Sequence, residues 1–133
     1  MERKDGIRNR EYGEKAEQAA CDWLTARGYD IRERNWSPRR GHKEIDIIAQ
    51  QGNVIAFVEV KARTSDFMDP VEAVTSQKIS RIVRAANSYL LLLPEEVGDA
   101  VEARFDIMAI SGDDPDWQIE HIEDAFFAPL SSC

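Results

Sequence analysis

With 133 residues and 43% hydrophobic content, the chain suits one α/β domain with a core of its own and leaves little room for a second. It holds no run of about eighteen apolar residues, and its charged start, Met1-Glu2-Arg3-Lys4-Asp5, lacks the apolar stretch of a signal peptide. A cytoplasmic protein without membrane association is therefore expected. The net charge of −8 argues against strong general binding of polyanions, but residues 1–42 hold ten Lys/Arg against eight Asp/Glu, residues 43–94 six against six, and residues 95–133 one against eleven, so only the C-terminal third is strongly acidic.

In chain order, residues 1–10 read as a polar, flexible arm. Glu11 to Arg27 read as a first helix with Gly28 as its stop. Ala16, Ala19, Ala20, Trp23 and Leu24 form its apolar stripe, with Glu17 at the border and Glu14 further toward solvent. Cys21 falls within this helical pattern as a small buried residue and Cys133 ends the chain, a poor pair for a disulfide. Tyr29 to Trp36 reads as a strand, followed by the basic loop Ser37 to Lys43. Two more strands, joined by a turn at Gly52-Asn53, carry Glu44 to Ala49 and Val54 to Lys61. After a polar loop from Arg63 to Asp69 and Pro70, a second helix is expected from Ser76 to Leu93, capped by Thr75 or Ser76 and stopped by Pro94. Arg104 to Ile110 and Trp117 to Ile122 read as the last two strands, and residues 128–133 as a flexible tail.

Chemistry concentrates on the paired strands. Residues two apart on a strand share a face at about 6.6–6.8 Å spacing, so Glu59 and Lys61 project together while Val58 and Val60 face away. Charges on so apolar a strand are costly unless they are paired or bind something. Asp46 on the partner strand completes a set of hard oxygen donors of the kind that holds Mg²⁺ or Mn²⁺. The backbone carbonyl of Val60 is a further candidate ligand, and Glu17 could ligate directly or through water. Lys61 is placed to stabilise developing negative charge or to orient the attacking water. A plain salt-bridged cluster of Asp46, Glu59 and Lys61 stands beside this reading, as does Glu17 as an ordinary helix-surface residue. The same holds for Lys78, Arg81 and Arg84, and for Arg39, Arg40 and Lys43, as solvated charges. Glu44 reads as structural, and Arg104-Phe105-Asp106 as a strand-edge ion pair.

A Glu-bearing helix before an Asp strand and a Glu-x-Lys strand resembles the PD-(D/E)XK nuclease superfamily. Gly13-Glu14-x-Ala16-Glu17, Arg34-Asn35-Trp36, Glu44-Ile45-Asp46-x-Ile48-Ala49, Phe57-Val58-Glu59-Val60-Lys61-x-Arg63, Glu72-Ala73-Val74 with Lys78, and Arg104-Phe105-Asp106 look more closely like the uncharacterised bacterial YraN-like family, over roughly residues 11–127. The chain departs from that pattern in placing His42 and Lys43 before Glu44-Ile45-Asp46, and Met68 where glycine is usual. Members of the family are similar to archaeal Holliday-junction resolvases. The resemblance implies a single nuclease-like domain over residues 1–133, with a restriction-endonuclease-like α/β core: a mixed central sheet flanked by helices in the order α-β-β-β-α-β-β. It implies metal-dependent cleavage of branched or structured DNA, with Glu17, Asp46, Glu59 and Lys61 as the nuclease residues and Arg63 and Lys78 as phosphate contacts. The mouth loop, with Arg39, Arg40 and Lys43, is a further candidate for DNA contact. Cutting both strands symmetrically would need two copies, so a homodimer is compatible with this reading. The alternative is a catalytically silent module of the same fold that binds nucleic acid or protein partners.

Overall fold

The first helix, α1, runs from Glu2 to Ala26 in the computed structural model, which describes residues 2–62 and 73–126. It begins well before Glu11, because the polar residues preceding that position include good helix formers and no proline. Its end is set as the sequence suggests. Gly28 adopts φ +92°, its N–H donates to the Thr25 carbonyl at 3.1 Å, and the Tyr29 N–H reaches back to Leu24 at 3.1 Å. These two bonds satisfy carbonyls that the helix leaves open, in the geometry of a Schellman motif, and Leu24 and Tyr29 join the same core. Gly28→Ala should cost about 1–2 kcal/mol, the penalty of a left-handed backbone for a residue with a Cβ, measurable by urea unfolding.

Five strands form one sheet in the order β1-β2-β3-β4-β5: β1 Asp30–Trp36, β2 Ile45–Gln51, β3 Val54–Ala62, β4 Glu102–Ser111 and β5 Gln118–Ile122. β1/β2, β2/β3 and β4/β5 pair antiparallel and β3/β4 pair parallel, which makes the sheet mixed as expected. The central strands are buried almost continuously because both sheet faces are covered. On one face, Ala16, Ala20 and Leu24 of α1 pack on Ile47, Val58 and Met108. On the other, Ile82, Ala86 and Tyr89 of the second helix pack on Ile48, Phe57 and Ile107.

That second helix, α2, spans Ser76–Leu91, with Thr75 as its cap: Thr75 Oγ1 accepts from the Lys78 N–H at 3.2 Å. It stops short of Leu93, because Leu92 and Leu93 close onto the carbonyls of Tyr89 and Leu90. Pro94 lies beyond that stop and is the N-cap of a short helix, α3 Glu95–Ala100, which apolar periodicity did not anticipate. Glu95 and Glu96 in its first turn suit the positive end of the helix dipole. Among the described residues no helix is long and apolar enough to cross a membrane. The loop from Arg63 to Asp69, Pro70 and the tail from residue 128 lie outside the described residues.

Candidate active site

The Gly52-Asn53 turn folds β3 back on β2 with Ile47 opposite Val58 and Ile48 opposite Phe57, and beyond these pairs the Asp46 and Glu59 side chains meet in a hydrogen bond. Glu59 is only 5% exposed, and it lies on the α2 side of the sheet with Ile55 and Phe57. Val58 and Val60 pack toward α1, as the strand period requires. Asp46 is held in place from below, since its Oδ2 accepts the Val60 backbone N–H at 2.8 Å. Lys61 Nζ stands 3.6 Å from Glu59 Oε2, in ionic contact but too far for a good hydrogen bond.

Burial, then the Asp46 charge and a hydrogen bond shared with Asp46, push the Glu59 carboxyl up to about 8, while Lys78 and Lys61 pull against this without prevailing. The ion-pair geometry with Lys61 thus does not describe the charge state at neutral pH. Desolvation of a nearly inaccessible carboxyl outweighs one partly exposed ammonium at that distance. Near neutral pH the Glu59 carboxyl therefore holds a proton.

Glu17 reaches this neighbourhood from α1. Burial and the Asp46 charge raise its carboxyl above the ordinary range, while a hydrogen bond from Asn35 and the charges of Arg34 and Lys43 oppose the rise. Asn35 entered the sequence reading only within the Arg34-Asn35-Trp36 motif, with no role of its own. It lies in β1 yet adopts φ +51°, a left-handed conformation that asparagine tolerates better than other residues with a side chain. An asparagine inside a strand, where it is disfavoured, was the available signal. Lys78, in the first turn of α2, is half-buried, and its charge reaches Glu59. Arg39, Arg40 and Lys43 are exposed on the loop between β1 and β2, and Arg63 falls outside the described residues. Glu44 pairs with Arg81 at 3.3 Å, in keeping with a structural role.

Asp106 corrects one expectation. It is not at a strand edge but fully buried on β4, between β3 and β5. Arg104 grips it through Nε and Nη2 at 2.8–3.1 Å, His121 Nε2 lies 2.7 Å away and the Asp124 N–H donates at 3.2 Å. Arg104 also donates to the Tyr29 hydroxyl at 2.6 Å. Burial raises the Asp106 carboxyl, but the bonds from His121 and Arg104 outweigh it and hold the group below its ordinary value. This network serves stability, and it accounts for His121 without a metal.

Two larger clefts, of 660 and 640 Å³, lie beside Trp23 and Trp117 and at the α2–α3 corner, away from these carboxylates. Among the described residues no three of His, Cys, Asp and Glu come close enough to hold a metal ion by themselves. The oxygen donors brought together are Asp46 and Glu59, with Glu17 within electrostatic reach. Such a pair suffices for a hard cation that keeps water and substrate oxygens in its shell.

Residues 16–110 match the model of the uncharacterised protein family UPF0102. A UPF0102 protein of Bacteroides thetaiotaomicron is 44% identical over 121 residues, covering 90% of this chain and 95% of the relative. Similar proteins of Prosthecochloris aestuarii and Flavobacterium johnsoniae are 42% and 37% identical, covering 87% and 88% of this chain and 93% and 94% of the relatives. With the motifs along α1, β2, β3 and β4 in their places on the fold, this chain belongs to the UPF0102 family, the YraN-like family that its sequence resembles.

Proposed function

We propose that this protein is a Mg²⁺- or Mn²⁺-dependent endonuclease acting on structured or branched DNA. The observation that carries the reading is the buried Glu59 carboxyl paired with the half-buried Asp46, with Lys61 beside them. Two carboxyl groups are held together at the end of an apolar strand, where a structural role would be better served by apolar side chains. Glu59 holds its proton because burial and the neighbouring Asp46 charge disfavour a second negative charge, a repulsion that a divalent ion would relieve. A cation held there by Asp46 and Glu59, with the Val60 carbonyl and Glu17 as further candidate donors, would supply Lewis-acid polarisation of the phosphodiester and a more acidic attacking water. The Val60 N–H fixes the Asp46 rotamer. Lys61, 3.6 Å from Glu59, would oppose the negative charge that grows as the phosphorus becomes five-coordinate. Asn35 positions Glu17.

The test is cleavage of labelled four-way junction, flap, single-stranded and plain duplex DNA with Mg²⁺, Mn²⁺ or chelator. Cleavage that needs the metal and shows a preference for branched over plain duplex substrates is expected. Metal binding without cleavage of any of these would favour the silent nuclease-fold module instead.

A further inference from the structure

We infer that the cleft between the β1–β2 loop and α2 is a phosphate subsite that holds a DNA strand beside the carboxylate pair. This inference rests on the nuclease reading above. The cleft encloses about 230 Å³, and Arg39, Arg81 and Arg84 line it together with Ser37, Ser88 and a single carboxylate, Glu44. Three guanidinium groups around one small opening suit phosphate, which they grip through paired N–H donors, better than any neutral ligand.

The placement ties the cleft to the candidate active site. Lys78, whose charge reaches Glu59, is followed on α2 by Arg81 and Arg84 at successive steps of three residues. Six residues of helix rise about 9 Å. A nucleic-acid strand carries one charge per roughly 3.4 Å of axis, so this basic row spans two or three phosphates leading away from the carboxylates. Glu44 comes two residues before Asp46, which puts the cleft next to the pair along the chain as well.

Glu44 holds Arg81 at 3.3 Å while 24% of its own side chain stays exposed. It acts as a stand-in for phosphate: a backbone phosphate takes its place on Arg81, and the released carboxylate turns to water. Glu44 therefore weakens DNA binding, whereas Arg39 and Arg84 strengthen it. These opposite signs separate a subsite from a general effect of surface charge on one face.

The chain carrying Glu59→Gln, which replaces the proposed metal ligand by a neutral amide, would be titrated by fluorescence anisotropy against labelled duplex, single-stranded and four-way junction DNA from about 50 to 200 mM salt. Arg84→Ala and Arg39→Ala should each lower affinity about tenfold on every DNA tested and reduce the salt slope by about 1. Glu44→Gln should raise affinity severalfold. Both arginines are exposed, so thermal unfolding of their variants checks that the fold is intact. Unchanged affinity in the arginine variants, or no gain in Glu44→Gln, would overturn the subsite. So would polyglutamate competing as well as DNA of equal charge, which would assign the cleft to an acidic protein partner. Cleavage by the parent protein is scored separately. Cleavage without any binding effect of the arginine variants keeps the nuclease and discards the subsite; binding effects without cleavage do the reverse.

Discussion

Glu59→Gln should abolish metal-dependent cleavage, by about 10³-fold or more, while making the metal-free protein more stable at alkaline pH. The first effect is the loss of a ligand to a Lewis acid that contributes several kcal/mol to the transition state. The second follows from linkage. The folded Glu59 carboxyl titrates at about 8 against an ordinary 4.5, so between these values the folded state holds a proton that the unfolded chain has released. Stability of the metal-free protein must then fall as pH rises through that window. Glutamine keeps an N–H donor for Asp46 and removes the titration, so at pH 8 and above the variant should gain on the order of 2–4 kcal/mol. Saturating Mg²⁺ should stabilise the parent, by about 2.7 kcal/mol at a hundredfold excess over Kd, and leave the variant unmoved. Urea unfolding across pH 4.5 to 8.5, with and without Mg²⁺, reads all of this. A parent with no slope in this window, together with a variant that is less stable throughout, would identify Asp46, Glu59 and Lys61 as a structural salt-bridge cluster.

Asp106→Ala should destabilise the protein by about 3–5 kcal/mol, because it strands Arg104 and His121 without their carboxylate partner. Small domains are stable by only about 5–15 kcal/mol, so the more conservative Asp106→Asn, which keeps the shape and one acceptor, provides the measurement should the alanine variant not fold. The pH dependence has the opposite sign to that of Glu59. The folded Asp106 carboxyl lies below its ordinary 3.8, so its contribution is complete above that value and is lost as pH falls through the folded one. Asp106→Asn should flatten the acid limb alone.

Both regions carry acidic residues on apolar strands, yet only one was legible for what it is. β2 and β3 are contiguous hairpin partners, so the Gly52-Asn53 turn brings Asp46 near Glu59 without knowledge of any other element, and the two side chains do share a hydrogen bond. β4 pairs with β3 across a long connection and with β5 beyond it. Nothing local distinguishes an interior strand from an edge, so Arg104 and Asp106 looked like a rim ion pair rather than a buried network. On α2 the apolar spacing of Ile82, Val83 and Ala86 predicts one buried face, and all three are buried. Ala85 and Tyr89 also turned out to be buried, the hydroxyl of Tyr89 accepting from Arg32 Nε at 2.8 Å, a partner that lies on β1. The six-residue α3 is too short to show a period at all.

What the sequence determined alone is what the backbone decides over a few residues. The stop of α1 at Gly28, the Thr75 cap, the hairpin register and the pairing of Asp46 with Glu59 all follow from φ preference, local hydrogen bonding and strand alternation. Tertiary structure decided the rest: that Lys78 and Glu17 come within electrostatic reach of the pair, that Asn35 meets Glu17, that three arginines share a cleft with Glu44, and that Glu59 holds a proton near neutral pH. Each of these depends on through-space distance and on loss of water between elements separated by loops. Periodicity records which face of an element is apolar, but not which charged residue the fold will set against it.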